Sequence, residues 1–418
     1  MLKRIYIYGV GAGYEIVKTC LLPEKVQILA YIDANASKFP TGINGIPVIT
    51  VEQLDMTKSF DFIVLAMMKF ENVDENLKSK GVSKEKIIRF FYLQDSGEKM
   101  FWTVIDRNAW KMEVLSYLYT NEMRPFMANM KYELVDEINK YEIKLPQIMS
   151  IKETVQTICE NKKSICRFGD GEFELMQLRK RAKFQETDEK LAERLKEVIK
   201  AKDEKILLAI ADNYGALKQY TKNAQTDIRI YLTEKKRKEH YSFLNMDVKY
   251  GNAYFTRPYI IYRDKENAKD RFEQIKQIWK EQDILVVEGD KTRLGVGNDL
   301  LGDASTVQRI LAPSENAFSK YDDILKTVKK YGKDKLILIA LGPTATVLAY
   351  DLAKEGYWAI DIGHIDIEYE WYKRQVQDRC VIPYKYVNEI AHGECVVDDK
   401  EFAKYQEKYE REIVGKIM

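Results

Sequence analysis

Two hydrophobic rhythms alternate along the chain. Compact apolar runs rich in β-branched and aromatic residues mark buried strands: 3–8 (KRIYIY), 27–32 (QILAYI), 60–67 (FDFIVLAM), 164–168 (SICRF), 205–211 (KILLAIA), 283–288 (DILVVE), 335–341 (KLILIAL) and 358–362 (WAIDI). Between them, apolar residues return at helical spacing, as in 72–80, 191–200, 268–280 and 321–330. Strands alternating with helices predict parallel sheets with right-handed crossovers. Residues 96–150 lack a strand pattern. There Trp110, Val114, Leu115, Tyr117 and Leu118 recur at helical spacing, and two or three helices are expected. The expectation is therefore two Rossmann-like α/β domains, 1–95 and 151–418, joined by a helical segment over 96–150.

Composition narrows the class. The 418 residues carry 67 Lys and Arg against 65 Asp and Glu, a formal charge of +2. That balance argues against nucleic acid as a partner held through a strong basic field. With 45% hydrophobic residues, packed cores are expected. The longest apolar runs, such as 62–68 and 336–341, fall far short of the roughly 20 residues of a membrane span. The N-terminus reaches glycines too early for a signal peptide. A soluble, cytoplasmic protein with no integral membrane segment is expected, its oligomeric state left open. Five scattered cysteines (Cys20, Cys159, Cys166, Cys380, Cys395) form no Cys-x-x-Cys pair, so neither a disulfide framework nor a thiolate zinc site is expected. The three histidines, His240, His364 and His392, lack zinc-ligand spacing, which leaves a hard cation held by carboxylates as the metal chemistry to consider.

In the first unit, Gly9, Gly11 and Gly13 follow the first strand and precede a helix, the arrangement that lets backbone N–H groups approach a phosphate. Asp33 ends the second strand, where such folds place a ribose-binding acid. Tyr14 stands where the strict dinucleotide fingerprint has its third glycine, which weakens the case for nicotinamide chemistry. The stretch 31–54 resembles the small nucleotide- or nucleotide-sugar-binding Rossmann domain at the front of some sugar-modifying enzymes. That resemblance implies a binding or regulatory module.

In the second unit the residues just past each strand matter most, because ligands of open parallel sheets sit at the carboxyl ends. Asp170 and Glu172, separated by one glycine, can face one Mg²⁺ or Mn²⁺ whose shell substrate phosphates would complete. Arg167 can add charge against a diphosphate. Glu288 opens a Gly-rich loop carrying Arg293 and Asn298, and Thr344 can cap the following helix. Arg257 in Thr256-Arg257-Pro258-Tyr259 is a candidate phosphate or sugar contact. For His364, Asp366, Glu368 and Glu370, a strand would align all four, while a helix would pair His364 with Glu368 and Asp366 with Glu370. In either case His364 or Glu368 can deprotonate a hydroxyl. The ordinary reading of each element alone is a solvated turn or a helix cap.

Together, RFGDGEF, TRPY, VEGDKTRLGVGNDLL and LGPTATVLAYDLAKEGYWAIDIGHIDIEYEW, in this order between about 160 and 372, resemble the bacterial GT-D-fold glycosyltransferases. The resemblance implies transfer of a hexose, in the known case glucose from UDP-glucose, to a glycan acceptor on a protein or lipid carrier. It implies a divalent metal on an Asp-x-Glu motif, here Asp170 and Glu172. The remaining family motifs fall on Arg167, Arg257, Glu288, Arg293, Asn298, His364 and Glu368. A sugar-nucleotide oxidoreductase using the first unit, and a non-catalytic nucleotide-sugar-binding protein, stay open as alternatives.

Overall fold

The computed structural model describes all residues except 1, 69, 94–98, 135–142, 180–184, 388, 391–392, 394–399 and 418. His392 and Cys395 thus lie outside the described residues. Two compact units emerge, Met1–Arg124 and Pro125–Met418. Among the described residues no helix is long and apolar enough to cross a membrane, and Cys20, Cys159, Cys166 and Cys380 are free thiols.

The first unit is built on β1 (Lys3–Tyr8), β2 (Val26–Ile32), β3 (Val48–Ile49), β4 (Phe62–Leu65) and β5 (Ile87–Arg89). They form one parallel sheet in the order β3-β2-β1-β4-β5. One face packs Ile5, Ile7, Val17 and Phe62, and the other packs Tyr6, Ile32, Ile63 and Leu77. This is the result of strands buried on both sides, whose apolar runs are continuous rather than alternating. Part of the expected connector belongs here, since Phe101, Trp102, Val104, Ile105 and Val114 lie in the first of these clusters. The helical pattern that follows runs as Arg107–Leu118, a π-helical turn Tyr119–Met123, and Arg124–Glu133.

The second unit contains β6 (Gln147–Ile148), β7 (Ser164–Phe168), β8 (Ile206–Ile210), β9 (Lys249–Asn252), β10 (Asp283–Gly289), β11 (Thr306–Ala312), β12 (Leu336–Ala340), β13 (Trp358–Asp361) and β14 (Ile413–Lys416). All pair in parallel, in the order β14-β11-β10-β12-β13-β7-β8-β9-β6. From β7 the chain moves outward through β8 and β9, whereas β10 to β13 lie on the other side of β7. The order therefore reverses at the β13–β7 pair, and such a reversal opens a crevice at the carboxyl ends of the strands.

The strand β11 is absent from the sequence expectation because Gln308 and Arg309 interrupt its apolar run. Arg309 is nonetheless buried, since it pairs with Glu288 on the neighbouring β10.

Candidate active site

The crevice at the strand reversal is a cleft of about 510 Å³. Its walls follow the strand ends in turn: Gly169 to Glu172 after β7, Ala211 and Asn213 after β8, and Ala253, Tyr254 and Arg257 after β9. Gly289 and Thr292 at the end of β10, Ser314 after β11, Leu341 to Pro343 after β12, and Gly363 and His364 after β13 close the other side. Arg379, Tyr386 and Glu389, from the segment beyond the helix Ile365–Lys373, also line it.

The two acids expected to hold a metal both line this cleft. They occupy the first turn of the helix Asp170–Met176. Asp170 is exposed. Glu172 Oε2 accepts the Gly169 N–H at 2.7 Å, so this carboxylate also caps its own helix. Burial raises the Glu172 carboxyl above its ordinary range, although the Gly169 N–H and the Arg167 charge pull it back. Among the described residues no cluster of three or more acidic, His or Cys side chains could hold a metal. Two carboxylates fit Mg²⁺ or Mn²⁺, which take few protein ligands and leave the rest of the shell to phosphate and water.

Arg167 lines the same wall, but its guanidinium is committed to the protein. Nε and Nη2 donate to Asp361 Oδ1 at 3.1 and 2.7 Å, and Nη1 donates to Thr256 Oγ1 at 2.9 Å. The arginine thus ties the ends of β7 and β13 to the 3₁₀ turn Ala253–Thr256. Gly363 makes room for it. A Cβ there would stand 2.1 Å from Arg167 Nη2, and φ is +51°.

His364 and Arg257 meet at Glu389. His364 Nε2 lies 3.2 Å from Glu389 Oε1, and Arg257 Nη2 pairs with the same oxygen. Arg379 Nε reaches Glu389 Oε2 at 3.0 Å. Burial would raise the Glu389 carboxyl, but Arg257, His364 and Arg379 outweigh it and hold this acid well below the ordinary range. Glu389 and Arg379 were not foreseen. They lie beyond the last recognised motif, in a stretch without periodicity.

Glu368 is placed differently from the expectation of a base. The chain at 365–373 is a helix, and Glu368 is fully buried and absent from the cleft wall. Its Oε2 accepts the N–H groups of Tyr259 and Ile260 at 3.0 and 2.8 Å. Its Oε1 has no hydrogen-bond partner, and Arg257 Nη1 stands 3.9 Å away. Lys265 Nζ donates to the carbonyls of the same two residues at 2.7 and 3.0 Å. The loop after Arg257 is therefore clamped from both sides, which makes Glu368 a support for Arg257.

Burial pushes the Glu368 carboxyl up to about 7 from 4.5, against the opposing pull of Arg257 and the two N–H groups, with Glu389 adding to the rise. Between those values the folded protein keeps a proton that the unfolded chain has released. Stability is thus expected to fall as pH rises from about 4.5 to about 7, by up to about 3 kcal/mol from this group. Denaturation midpoints across that window should fall less steeply in Glu368→Gln. An identical slope in both proteins would refute the assignment.

Four other expected contacts lie outside the cleft wall. Glu288 is fully buried between Arg309 Nη1 at 2.7 Å and the Leu294 N–H at 2.6 Å. Arg293 is buried, donates to the Tyr384 carbonyl at 3.0 Å and stands over the Phe402 ring. Asn298 donates to Asp366 and Glu370 at 3.0 and 2.7 Å. Thr344 is buried, with its hydroxyl 3.4 Å from Gln185 Oε1, while its neighbours Gly342 and Pro343 line the cleft. These residues stabilise the loop after β10 and the helix after β12. Buried polar groups need such partners, and the motif pattern does not distinguish a supporting residue from one that meets a ligand.

In the first unit, Gly9 has φ +94° and a Cβ on Gly13 would stand 2.2 Å from the Ala66 carbonyl oxygen. Gly13 therefore serves close packing of helix on strand, and Gly11 N-caps the helix Ala12–Cys20. Asp33 accepts from the Val10 N–H at 3.1 Å through Oδ2 and from the Asn35 N–H at 2.8 Å through Oδ1. Both its oxygens accept from the chain's own backbone.

Comparison with known proteins agrees with this architecture. The family described as Glycosyltransferase GT-D fold matches residues 165–390, and that described as C2185-like, N-terminal matches residues 1–88. A protein named Probable glycosyl transferase Gly, from Streptococcus gordonii, is 36% identical over 63% of this chain and 39% of its own length. Glycosyltransferase GlyD of Streptococcus pneumoniae serotype 4 is 33% identical over 72% of this chain and 36% of its own. The chain thus spans under two fifths of the length of the curated relatives it matches. Among solved structures, the domain of unknown function 1792 described as having a distinct glycosyltransferase fold superposes with a TM-score of 0.59 at 37% identity. That match covers 65% of this chain and 96% of the other. A structure described as a new glycosyltransferase from Streptococcus sanguinis gives 0.60 at 34%, covering 66% and 100%. With its reversal-point cleft and a matched region spanning more than half of its length, the chain belongs to the family of GT-D-fold glycosyltransferases.

Proposed function

We propose that the protein is a metal-dependent glycosyltransferase that moves a hexose, glucose in the first instance, from a UDP-sugar to a hydroxyl of a glycan acceptor on a protein or lipid carrier. The observation that carries this reading is the convergence of Asp170, Glu172, Arg257 and His364 on one cleft at the carboxyl ends of the strands. Asp170 and Glu172 would hold Mn²⁺ or Mg²⁺. When bound, the cation supplies positive charge against the diphosphate. Arg257 adds a second, fixed cation to the same cleft. The N-terminus of the helix Pro343–Lys354, which opens at the cleft, favours negative charge as well. His364 receives the proton of the attacking hydroxyl in this scheme, and the walls orient the two substrates. Glu368, buried behind Arg257, holds that cation in place.

The first unit is proposed as a binding or regulatory module, consistent with a Gly-rich turn whose acid is already engaged. Thermal-shift measurements with UDP-glucose, with and without Mn²⁺, followed by a UDP-release assay, test the reading. Stabilisation by UDP-glucose that requires Mn²⁺, with UDP released on turnover, is expected. Binding without release would favour a non-catalytic sugar-nucleotide binder, and stabilisation by NADH alone would favour an oxidoreductase.

A further inference from the structure

We infer that Glu389, held by Arg257 and Arg379, is a positioning residue that orients His364 in the cleft. The inference rests on the glycosyltransferase reading for its kinetic consequence, and on geometry alone for the orientation itself. One carboxylate collects three donors from separate parts of the chain. Arg257 arrives from the turn after β9, His364 from the end of β13, and Arg379 from the segment that also carries Glu389.

The Glu389 side chain is only 12% exposed, so the pairings are shielded from water and differ from surface ion pairs of little worth. The ordinary alternative is a structural staple for a loop, but Glu389, Arg257, His364 and Arg379 all line the cleft itself. A staple has no need to gather cleft-facing groups.

The arrangement has a definite chemical consequence. An ionised carboxylate can only accept, so His364 Nε2 must carry the proton it shares with Glu389. The neutral imidazole then has Nδ1 as its basic nitrogen. In the transfer step the acceptor O–H proton passes to that nitrogen and the acceptor oxygen bonds to C1 of the sugar. The C1–O bond to the diphosphate breaks, and its electron pair leaves with UDP. The imidazolium so formed sits against the Glu389 carboxylate, which stabilises it. Glutamine at 389 would instead present one oxygen and a competing NH₂ to two guanidinium groups and an imidazole.

The test compares Glu389→Gln, Glu389→Asp, His364→Gln and the double variant Glu389→Gln/His364→Gln. UDP release is followed with UDP-glucose, Mn²⁺ and a panel of p-nitrophenyl glycosides as acceptors. Glu389→Gln is expected to lower kcat about 100-fold while changing the KM for UDP-glucose less than about threefold. Glu389→Asp should recover at least a tenth of the wild-type kcat. In the His364→Gln background, loss of Glu389 should cost less than about threefold more, because its effect passes through the histidine. Unchanged kcat in Glu389→Gln, or losses that simply multiply in the double variant, would overturn the proposal.

A second readout does not depend on turnover. With only three histidines in the chain, selective ¹⁵N-His labelling resolves the His364 tautomer by NMR. Protonation at Nε2 is expected in the wild type and its loss or mixing in Glu389→Gln. Should the wild type release no UDP, the transferase reading falls while this measurement still decides on Glu389. An Nε2–H tautomer unaffected by the substitution refutes it.

Discussion

Asp170→Asn combined with Glu172→Gln is expected to lower Mn²⁺-dependent UDP release by about 10²–10³-fold, the scale of losing several kcal/mol of charge stabilisation. The two carboxylates line the cleft within one helical turn, and among the described residues no group of three or more acidic, His or Cys side chains could hold a metal in their place. The choice of substitutions follows from the local geometry. Glu172 caps its helix through the Gly169 N–H, and an Ala there would remove the cap at a cost of about 1 kcal/mol. Gln retains the accepting oxygen, since glutamine also serves in a capping box. Asp170 is exposed at the start of the same helix, so its neutralisation costs only about 0.3–1 kcal/mol of helix-terminus electrostatics. The melting temperature of the double variant should therefore stay within a few degrees of wild type. Full activity in this protein would remove the metal assignment altogether.

Arg309→Met is expected to act in the opposite way, on stability far more than on cleft chemistry. Arg309 is buried and joins Glu288 on β10 to Glu412 near the chain's end, with both contacts at 2.7 Å. Glu288 is inaccessible to solvent, and burial already raises its carboxyl although Arg309 opposes this. Removing the cation leaves an uncompensated buried carboxylate, which costs about 3–5 kcal/mol. For a unit of this size that corresponds to a loss of roughly 10 °C in melting temperature. Glu288→Gln/Arg309→Met should recover much of the loss, because the stranded charge is gone. Differential scanning calorimetry on the three proteins checks both statements. Equal melting temperatures for wild type and Arg309→Met would show that Glu288 does not depend on this pair, and would reopen a ligand-facing role for it.

The behaviour of Glu288 illustrates why part of the site could not be read in advance. A Gly-rich loop with Glu288, Arg293 and Asn298 carries the residue types that hold a diphosphate, and the family resemblance singles out the same positions. The chain uses them inwardly. Asn298 is consumed by Asp366 and Glu370, and Lys385, fully buried, pairs with both of those acids. The signal for such a role lies in residues about 70 to 90 positions downstream, which spacing cannot connect. Glu368 follows the same logic. On a helix it shares a side with His364, as expected for an i, i+4 pair, yet burial turns it toward the backbone of Tyr259 and Ile260.

Local composition alone determined the strands whose apolar runs are continuous, β1, β7 and β10 among them, because strands covered on both faces admit few polar residues. It also determined the two-sheet parallel architecture and the placement of Asp170 and Glu172 directly after β7. Tertiary structure decided the rest. It set β11 beside β10 despite a charged residue in the strand, because a partner on the neighbouring strand satisfies Arg309. It selected which charged residues face the cleft and which are buried in pairs, since each depends on a partner contributed by a distant segment. It also brought Glu389 to His364 and Arg257, a contact with no local pattern, since what holds it is charge compensation away from water.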